Sequence, residues 1–404
     1  MLLWAGQSIS EIGNATTMFA LPVVALLATH ASTFEVSGLA AMSQLPVLLF
    51  ALPLGAVVDR RAKRPMMIGA DLVRMVLSAS IPAAGWLGIL TVTQLFVVAF
   101  GAATCGILFD AAYHSYTPVL LTREELVDGN AKIGTSESVS VVSGPSLAGF
   151  LVGVIGAAAT LTVDAASYLV SVATVASIRA RETPPLPAPA GTRFGALGGL
   201  RFIYRDRRLR PLVTANAVDS FVMAAVNALW TVYVIRTLRW SPQTAGFVLG
   251  VSATGGVLGG LVATRLIRRF GMHRMLVACE FVKLPGLLTV PLATRGVWGE
   301  AYLTAGYVVV LGSAVTYNIT QRTVRQLACP PELLGRVTTA ARWLQWGLMP
   351  VGSVLAGAIA TVVGVRATLF GAGIGTAASV AVLFFSPLRR PDPAPSPSAS
   401  AAPV

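Results

Sequence analysis

Unbroken apolar stretches of about 20 residues recur along the whole chain, each long enough to cross a hydrocarbon layer as an α-helix. A chain with that much apolar surface to shield has few folds open to it. Only 12% of its 404 residues are charged and 55% are hydrophobic, where soluble domains carry about 25% charged residues. Mean hydropathy is +0.73. These values exclude a water-soluble fold. An outer-membrane barrel would read as alternating strands of about ten residues, whereas the runs here are continuous and rich in Gly and Ala. An all-α membrane protein is expected.

Twelve spans are predicted, at 3–28, 35–58, 66–88, 92–114, 132–155, 159–178, 211–235, 243–267, 273–293, 299–321, 335–363 and 367–386. No basic leader precedes the first run, and Glu11 and Asn14 interrupt it, so it reads as a span and not as a signal peptide. Residues 179–210 are a soluble linker. They open Pro-rich and continue as an amphipathic piece, Phe194 to Arg210, with Arg201, Arg205, Arg207, Arg208 and Arg210 crowded at its end, the pattern of a helix lying on a lipid surface. The linker divides an N-terminal six-helix bundle, 1–178, from a C-terminal one, 211–388. The Pro, Ser and Ala tail, 389–404, is expected to be disordered.

With an N-terminus inside, the inner loops and tail hold 23 Lys and Arg and the outer loops hold four: Arg236, Arg239, Arg295 and Arg366. That bias predicts both termini in the cytoplasm. It also accounts for the net charge of +13 without nucleic acid. Cys105, Cys279 and Cys329 lie far apart with no His cluster, so neither a disulfide framework nor a metal site is indicated, and no cofactor is expected.

The halves are related at an offset of 208. Leu147-Ala148-Gly149 recurs as Leu355-Ala356-Gly357, Ser171-Val172-Ala173 as Ser379-Val380-Ala381, Gly38 as Gly246, and Arg60-Arg61 as Arg268-Arg269. Two parallel six-span repeats are the plan of a large transporter class, with the substrate near the midplane between them.

The loop after the second span carries Gly55, Asp59, Arg60, Lys63 and Arg64 at a spacing that resembles motif A of the major facilitator superfamily, with Ala62 in place of the usual Gly. A small residue lets helices approach, an acid can cap a helix N-terminus, and the basic cluster holds the loop at the surface. Gly144, Pro145 and Gly149 in the fifth span look like motif C, which the resemblance associates with antiporters; Gly and Pro are also common in any membrane helix. Motif B would place an Arg in the fourth span, and none lies between Leu95 and Thr117. With LWAGQSIS, GADLVR and FDAAYHSYTP, the chain is similar to the bacterial efflux branch that includes macrolide and siderophore exporters, which implies a place in a bacterial inner membrane. The resemblance implies a two-bundle fold, small-molecule export, and a cavity lined by spans one, four, seven and ten.

Ionisable groups are costly in lipid, so those within spans are the candidate site. Gln7, Glu11, Asn14 and Met18 share one face of span one; Asn216, Asp219, Met223, Asn227 and Trp230 share one face of span seven, and Asp219 is Glu11 plus 208. Carboxyl groups at matched depth suit proton exchange, or each satisfies a donor between helices. Asp110, Tyr113, His114 and Tyr116 in span four, and Thr316, Tyr317, Asn318, Gln321 and Arg322 in span ten, contact substrate or anchor the interface. Asp71 with Arg74, and Glu280 with Lys283, read as structural pairs at i, i+3.

The expected function is proton-driven export of small amphipathic compounds, working as a monomer, with protons and a small-molecule substrate as partners. An importer or lipid flippase on the same fold is the alternative. Neither HExxH nor GxSxG occurs, and no GxxxxGK[ST] is present, so neither an enzyme nor an ATP-driven pump is indicated. Reporter fusions after Arg64 and after Arg210 should both report the cytoplasm; an external signal from either overturns the topology.

Overall fold

A computed structural model describes residues 2–59, 61–120, 125–178 and 195–387. Among the described residues there are fourteen α-helices and no strand. The first six are α1 (Leu2–Leu27), α2 (Thr33–Asp59), α3 (Lys63–Trp86), α4 (Val92–Leu120), α5 (Glu125–Ile155) and α6 (Ala157–Ser177). After the linker come α7 (Gly195–Arg205), α8 (Leu209–Val232), α9 (Pro242–Phe270), α10 (Met272–Leu292), α11 (Val297–Ala328), α12 (Pro331–Gly347), α13 (Met349–Val363) and α14 (Val365–Phe384). They supply twelve segments long and apolar enough to cross a membrane.

The eleventh span is two helices. Pro350, in the first turn of α13, cannot donate a backbone hydrogen bond to the preceding turn, and the chain breaks at Leu348 beside Gly347. The seventh ends in a π-helical turn, Tyr233–Thr237, ahead of Arg239 at φ 57°. The amphipathic helix is shorter than expected. It stops at Arg205 because Asp206 Oδ1 accepts from the backbone N–H groups of Arg208 and Leu209, each at 2.8 Å, and so starts α8. Its apolar face is turned to protein and not to lipid: Ile203 is buried with Leu209, Val213, Val337 and Ala340, and Gly199 packs on the Arg336 carbonyl. The Pro-rich part of the linker, 179–194, and the tail from 388 lie outside the described residues.

Packing repeats between the two sets of six spans. In the first, α1 lies on α5 and α6, α3 on α4 and α6, and α2 on α4; in the second, α8 lies on α13 and α14, α10 on α11 and α14, and α9 on α11. Gly156 and Gly364, 208 apart, open the sixth and twelfth spans with φ of 88° each, a conformation that a Cβ disfavours. On the far face, opposite the linker, α2 and α9 begin with side-chain caps. Ser32 and Glu35 exchange side-chain and backbone bonds of 2.6 and 3.2 Å ahead of α2, and Ser241 accepts from Thr244 N ahead of α9 at 3.1 Å.

The halves meet toward the far face through backbone contact between α5 and α9. A Cβ on Gly149 would fall 2.6 Å from the Pro242 carbonyl oxygen, and one on Gly246 would fall 2.3 Å from that of Pro145. Without side chains at these points the two backbones touch, the small-residue packing of membrane helices. The second seam, α2 on α13, places Gly357 against Ser37, while Arg236 donates to the Ala31 carbonyl at the far end. Gly246→Ala should lower stability by about 1–3 kcal/mol, since backbone cannot move aside as a side-chain tip can. Gly260→Ala, whose Cβ would meet Val315 Cγ1 at 3.7 Å, should leave it unchanged or raised. Unfolding midpoints in detergent check the difference.

Candidate functional site

The first polar grouping is built by α1, α4 and α5. Glu11 lies one turn after Gln7 on α1, and Gln7 Nε2 donates to Glu11 Oε1 at 2.7 Å. The Trp4 indole N–H spans to α5, 3.2 Å from the Lys132 carbonyl and 3.0 Å from Ser136 Oγ, and Ser8 and Ser136 hydroxyls are 2.7 Å apart. These bonds fix the polar edge of α1 on α5. The helices enclose a cavity of about 70 Å³ with Glu11, Asp110, Tyr113, His114 and Glu137 in its wall. Tyr113 stacks on Phe109 with centroids 6.1 Å apart and meets His114 edge-on at 5.6 Å. Among the described residues no Lys or Arg forms an ion pair with Glu11, Asp110 or Glu137. The cavity is therefore an acid-rich recess with aromatic walls, chemistry suited to a proton or an organic cation.

Behind it, α3 and α6 bury more charge. Arg74 Nη1 lies 3.4 Å from Asp71 Oδ1, and its guanidinium stands 4.3 Å over the Tyr168 ring. Asp164, fully buried, accepts from Ser78 Oγ at 2.6 Å. The pairing of Asp71 with Arg74 follows the sequence pattern.

The second grouping lies in the other half, where α8, α10, α11 and α14 converge. Lys283 Nζ is 2.7 Å from Glu280 Oε1 and 2.7 Å from Asp219 Oδ1, while Ser379 Oγ donates to Glu280 Oε2 at 2.7 Å. The Tyr317 ring centroid is 5.6 Å from the ammonium. One turn toward the linker, Asn216 Nδ2 donates to Gln321 Oε1 at 2.6 Å, and Gln321 Nε2 to Asn318 Oδ1 at 3.1 Å.

The sequence candidates thus divide. Glu11, Asp110 and Tyr113 share one cavity; Asp219 and Tyr317 meet around Lys283; Gln321 is tied to Asn216. Asn14 and Asn227 are exposed on the polar faces of α1 and α8, and Trp230 is buried against Tyr307 at 6.3 Å. Glu280 and Lys283 form more than a local pair, because Lys283 also crosses to Asp219. That reach was not legible, since only the fold brings α8 and α10 together. Glu137, an acid inside an apolar span, has a signal in the sequence, whereas Ser78 carries none of its own.

Of the motif A residues, Arg60 lies outside the described residues, as do the side chains of Gly55 and Asp59 at the end of α2. Lys63 Nζ donates to the Arg61 carbonyl at 2.8 Å and to the Val58 carbonyl, and Arg64 Nε donates to the Val175 carbonyl at 3.1 Å. These cations cap the carbonyl ends of α2 and α6, where the helix dipoles favour positive charge. Motif C is divided between two contacts: Gly144 lets α5 close on Ala15 of α1, and Pro145 with Gly149 forms the seam on α9.

Residues 1–403 match the protein family described as transmembrane secretion effector. Macrolide efflux protein A of Streptococcus pyogenes is 24% identical over 378 residues, covering 90% of each chain. Multidrug efflux pump Tap of Mycolicibacterium fortuitum is 26% identical over 389 residues, covering 94% of this chain and 93% of its own. Among solved structures, a variant of nucleoside transporter NupG superimposes with a TM-score of 0.81 at 10% identity, over 95% of this chain and 98% of that one, a likeness of fold.

Removing the donor to Asp164 tests how tightly this interior is satisfied. Ser78→Ala should destabilise the protein by about 1–3 kcal/mol, the cost of leaving a buried acceptor without its partner. Ser143→Ala, which deletes only a hydroxyl bonded to the Val139 carbonyl on its own helix, should not. Thermal unfolding of the two variants side by side checks it.

Proposed function

The chain belongs to the transmembrane secretion effector family of the major facilitator superfamily and is a membrane transporter; on that premise we propose that it exports small amphipathic molecules from bacteria in exchange for protons. The observation that carries this reading is the cavity between α1, α4 and α5, where, among the described residues, no Lys or Arg comes within ion-pair distance of Glu11, Asp110 or Glu137. Carboxylates that line a recess of a membrane protein without a direct ion pair invite a proton or a positively charged ligand. The two then compete for one site. A substrate amine binds the ionised acids, protonation displaces it, and deprotonation on the other side resets the pump. The efflux pumps that resemble the chain along nearly its whole length support transport outward.

The seam supports the direction of opening. Backbone contact between α5 and α9 closes the halves toward the far face, while Asp110, His114, Glu137 and Asn318 stay exposed on the linker side. We read the linker face as cytoplasmic, because it gathers the basic residues, so the cavity loads from inside. Rocking of the halves would part the Gly149 and Gly246 seam and close the linker side. Lys63 and Arg64, set on helix ends, brace the motif A loop through that motion. In this reading the protein works as a monomer in the inner membrane.

In a pump-deficient host, expression should raise tolerance to at least one antibiotic, dye or siderophore in a panel; a fall in tolerance would mean uptake instead. Glu11→Gln and Asp110→Asn should each reduce accumulation against a gradient in proteoliposomes at least tenfold, with binding of neutral compounds retained. Full activity of both variants and of the double variant, with the same dependence on the proton gradient, would remove these acids from the mechanism.

A further inference from the structure

The arginine run of the linker has two members that the fold leaves over. Arg207 lies in the short connection from α7 to α8, Arg210 lies in the first turn of α8, and both are exposed. They rim an open pocket of about 730 Å³ between the start of α8 and the end of α14, which Thr214, Val382, Phe385 and Ser386 also line. Among the described residues neither guanidinium makes a hydrogen bond or an ion pair, and no Asp or Glu lines the pocket. Two positive charges share one recess with no counter-charge in its wall.

The polar groups beside them are already committed. Asp206, next to Arg207 in the chain, caps α8, its Oδ1 accepting from two backbone N–H groups at 2.8 Å. At the end of α14 the Leu383 carbonyl accepts from Ser386 Oγ at 2.7 Å and lies 3.3 Å from His273 Nε2. Apolar surface leads away from the pocket along α14. Ile374, Ala378, Ala381 and Phe385 follow i, i+4, i+7, i+11, and all are exposed, Ile374 at 60% and Phe385 at 83%. A soluble anion would match the arginines alone, whereas a phospholipid with a negative headgroup matches the arginines and the strip together.

We propose that this pocket binds the headgroup of an anionic phospholipid, with the phosphate between Arg207 and Arg210 and an acyl chain along the α14 strip. Guanidinium groups suit that task because their planar N–H forks match phosphate oxygens in pairs. Thr214 Oγ1 donates to the Arg210 carbonyl at 2.8 Å and keeps its lone pairs for a headgroup hydroxyl. The lipid ties the start of the seventh span to the end of the twelfth, the two ends of the C-terminal bundle. Such a site requires only that the chain spans a membrane, whatever it carries. The tail after Pro387 brings Arg389, Arg390 and Asp392, outside the described residues, so a variant ending at Pro387 distinguishes an acid of the tail from a lipid.

Full-length protein in detergent is titrated with phosphatidylglycerol or phosphatidylcholine, bound lipid is counted by native mass spectrometry, and thermal unfolding is followed in parallel. The parent should prefer phosphatidylglycerol by about tenfold, the scale that two surface arginines supply. Arg207→Gln with Arg210→Gln should lose that preference and the rise in unfolding midpoint that the lipid gives. Arg268→Gln with Arg269→Gln removes the same charge from two exposed residues at the end of α9 and should keep both. Millimolar inorganic phosphate should neither displace the lipid nor stabilise the parent, and the variant ending at Pro387 should bind as the parent does. Equal losses in the two arginine pairs would reduce the effect to general surface charge and overturn the site. Displacement by inorganic phosphate, or a preference that arises only on truncation at Pro387, would give the pocket to a soluble anion or to the tail and overturn it too.

Discussion

A hydrocarbon interior offers no hydrogen bonds, and the rest of this structure follows from that. Each backbone must satisfy itself as a helix, and each polar side chain must find its partner within the protein. The hydroxyls obey by turning back on their own helices, as Thr16 does on the Ile12 carbonyl at 2.8 Å and Ser252 on that of Val248 at 2.6 Å. The charged groups cannot do so. They are gathered into a few interior sites, Asp71 with Arg74, Asp164 with Ser78, and the trio around Lys283. The exception is the cavity beside Glu11 and Asp110, where acids face one another and an amide.

Shape is governed by a second consequence of the same solvent. Lipid gives apolar side chains no reason to leave it, so helices associate through close packing, and the closest approach comes where side chains are missing. Pro145, Gly149 and Gly246 bring α5 and α9 into backbone contact across the halves. A seam made of small residues has no interlocking knobs.

The repeated six-span plan makes the differences between halves informative. The glycine turns at Gly156 and Gly364 have kept the same backbone, and the third and ninth spans each bury an acid and a base one turn apart. Yet Arg74 stacks on an aromatic ring while Lys283, thinner and more flexible, reaches across to a neighbouring helix. One half offers an acid to the cavity, and the other neutralises its equivalent from within.

The all-α membrane fold, the twelve spans, the family and the individual acids could be read from the chain, because hydrophobic run length, loop charge and the cost of an ion in lipid are local properties. Motif C was visible too, though as letters; that Gly144 serves α1 while Gly149 serves α9 required both helices to be in place. The break at Leu348 had a signal in Gly347 and Pro350, whereas the early stop of α7 turned on one Asp206 oxygen accepting two N–H groups. What only the tertiary structure decided is which charges meet. Asp219 and Glu11 are alike in spacing, depth and chemistry, and nothing along the chain distinguishes them. They differ because Coulombic partners are chosen by distances of a few ångströms between helices far apart in sequence, and those distances exist only once the bundle has packed.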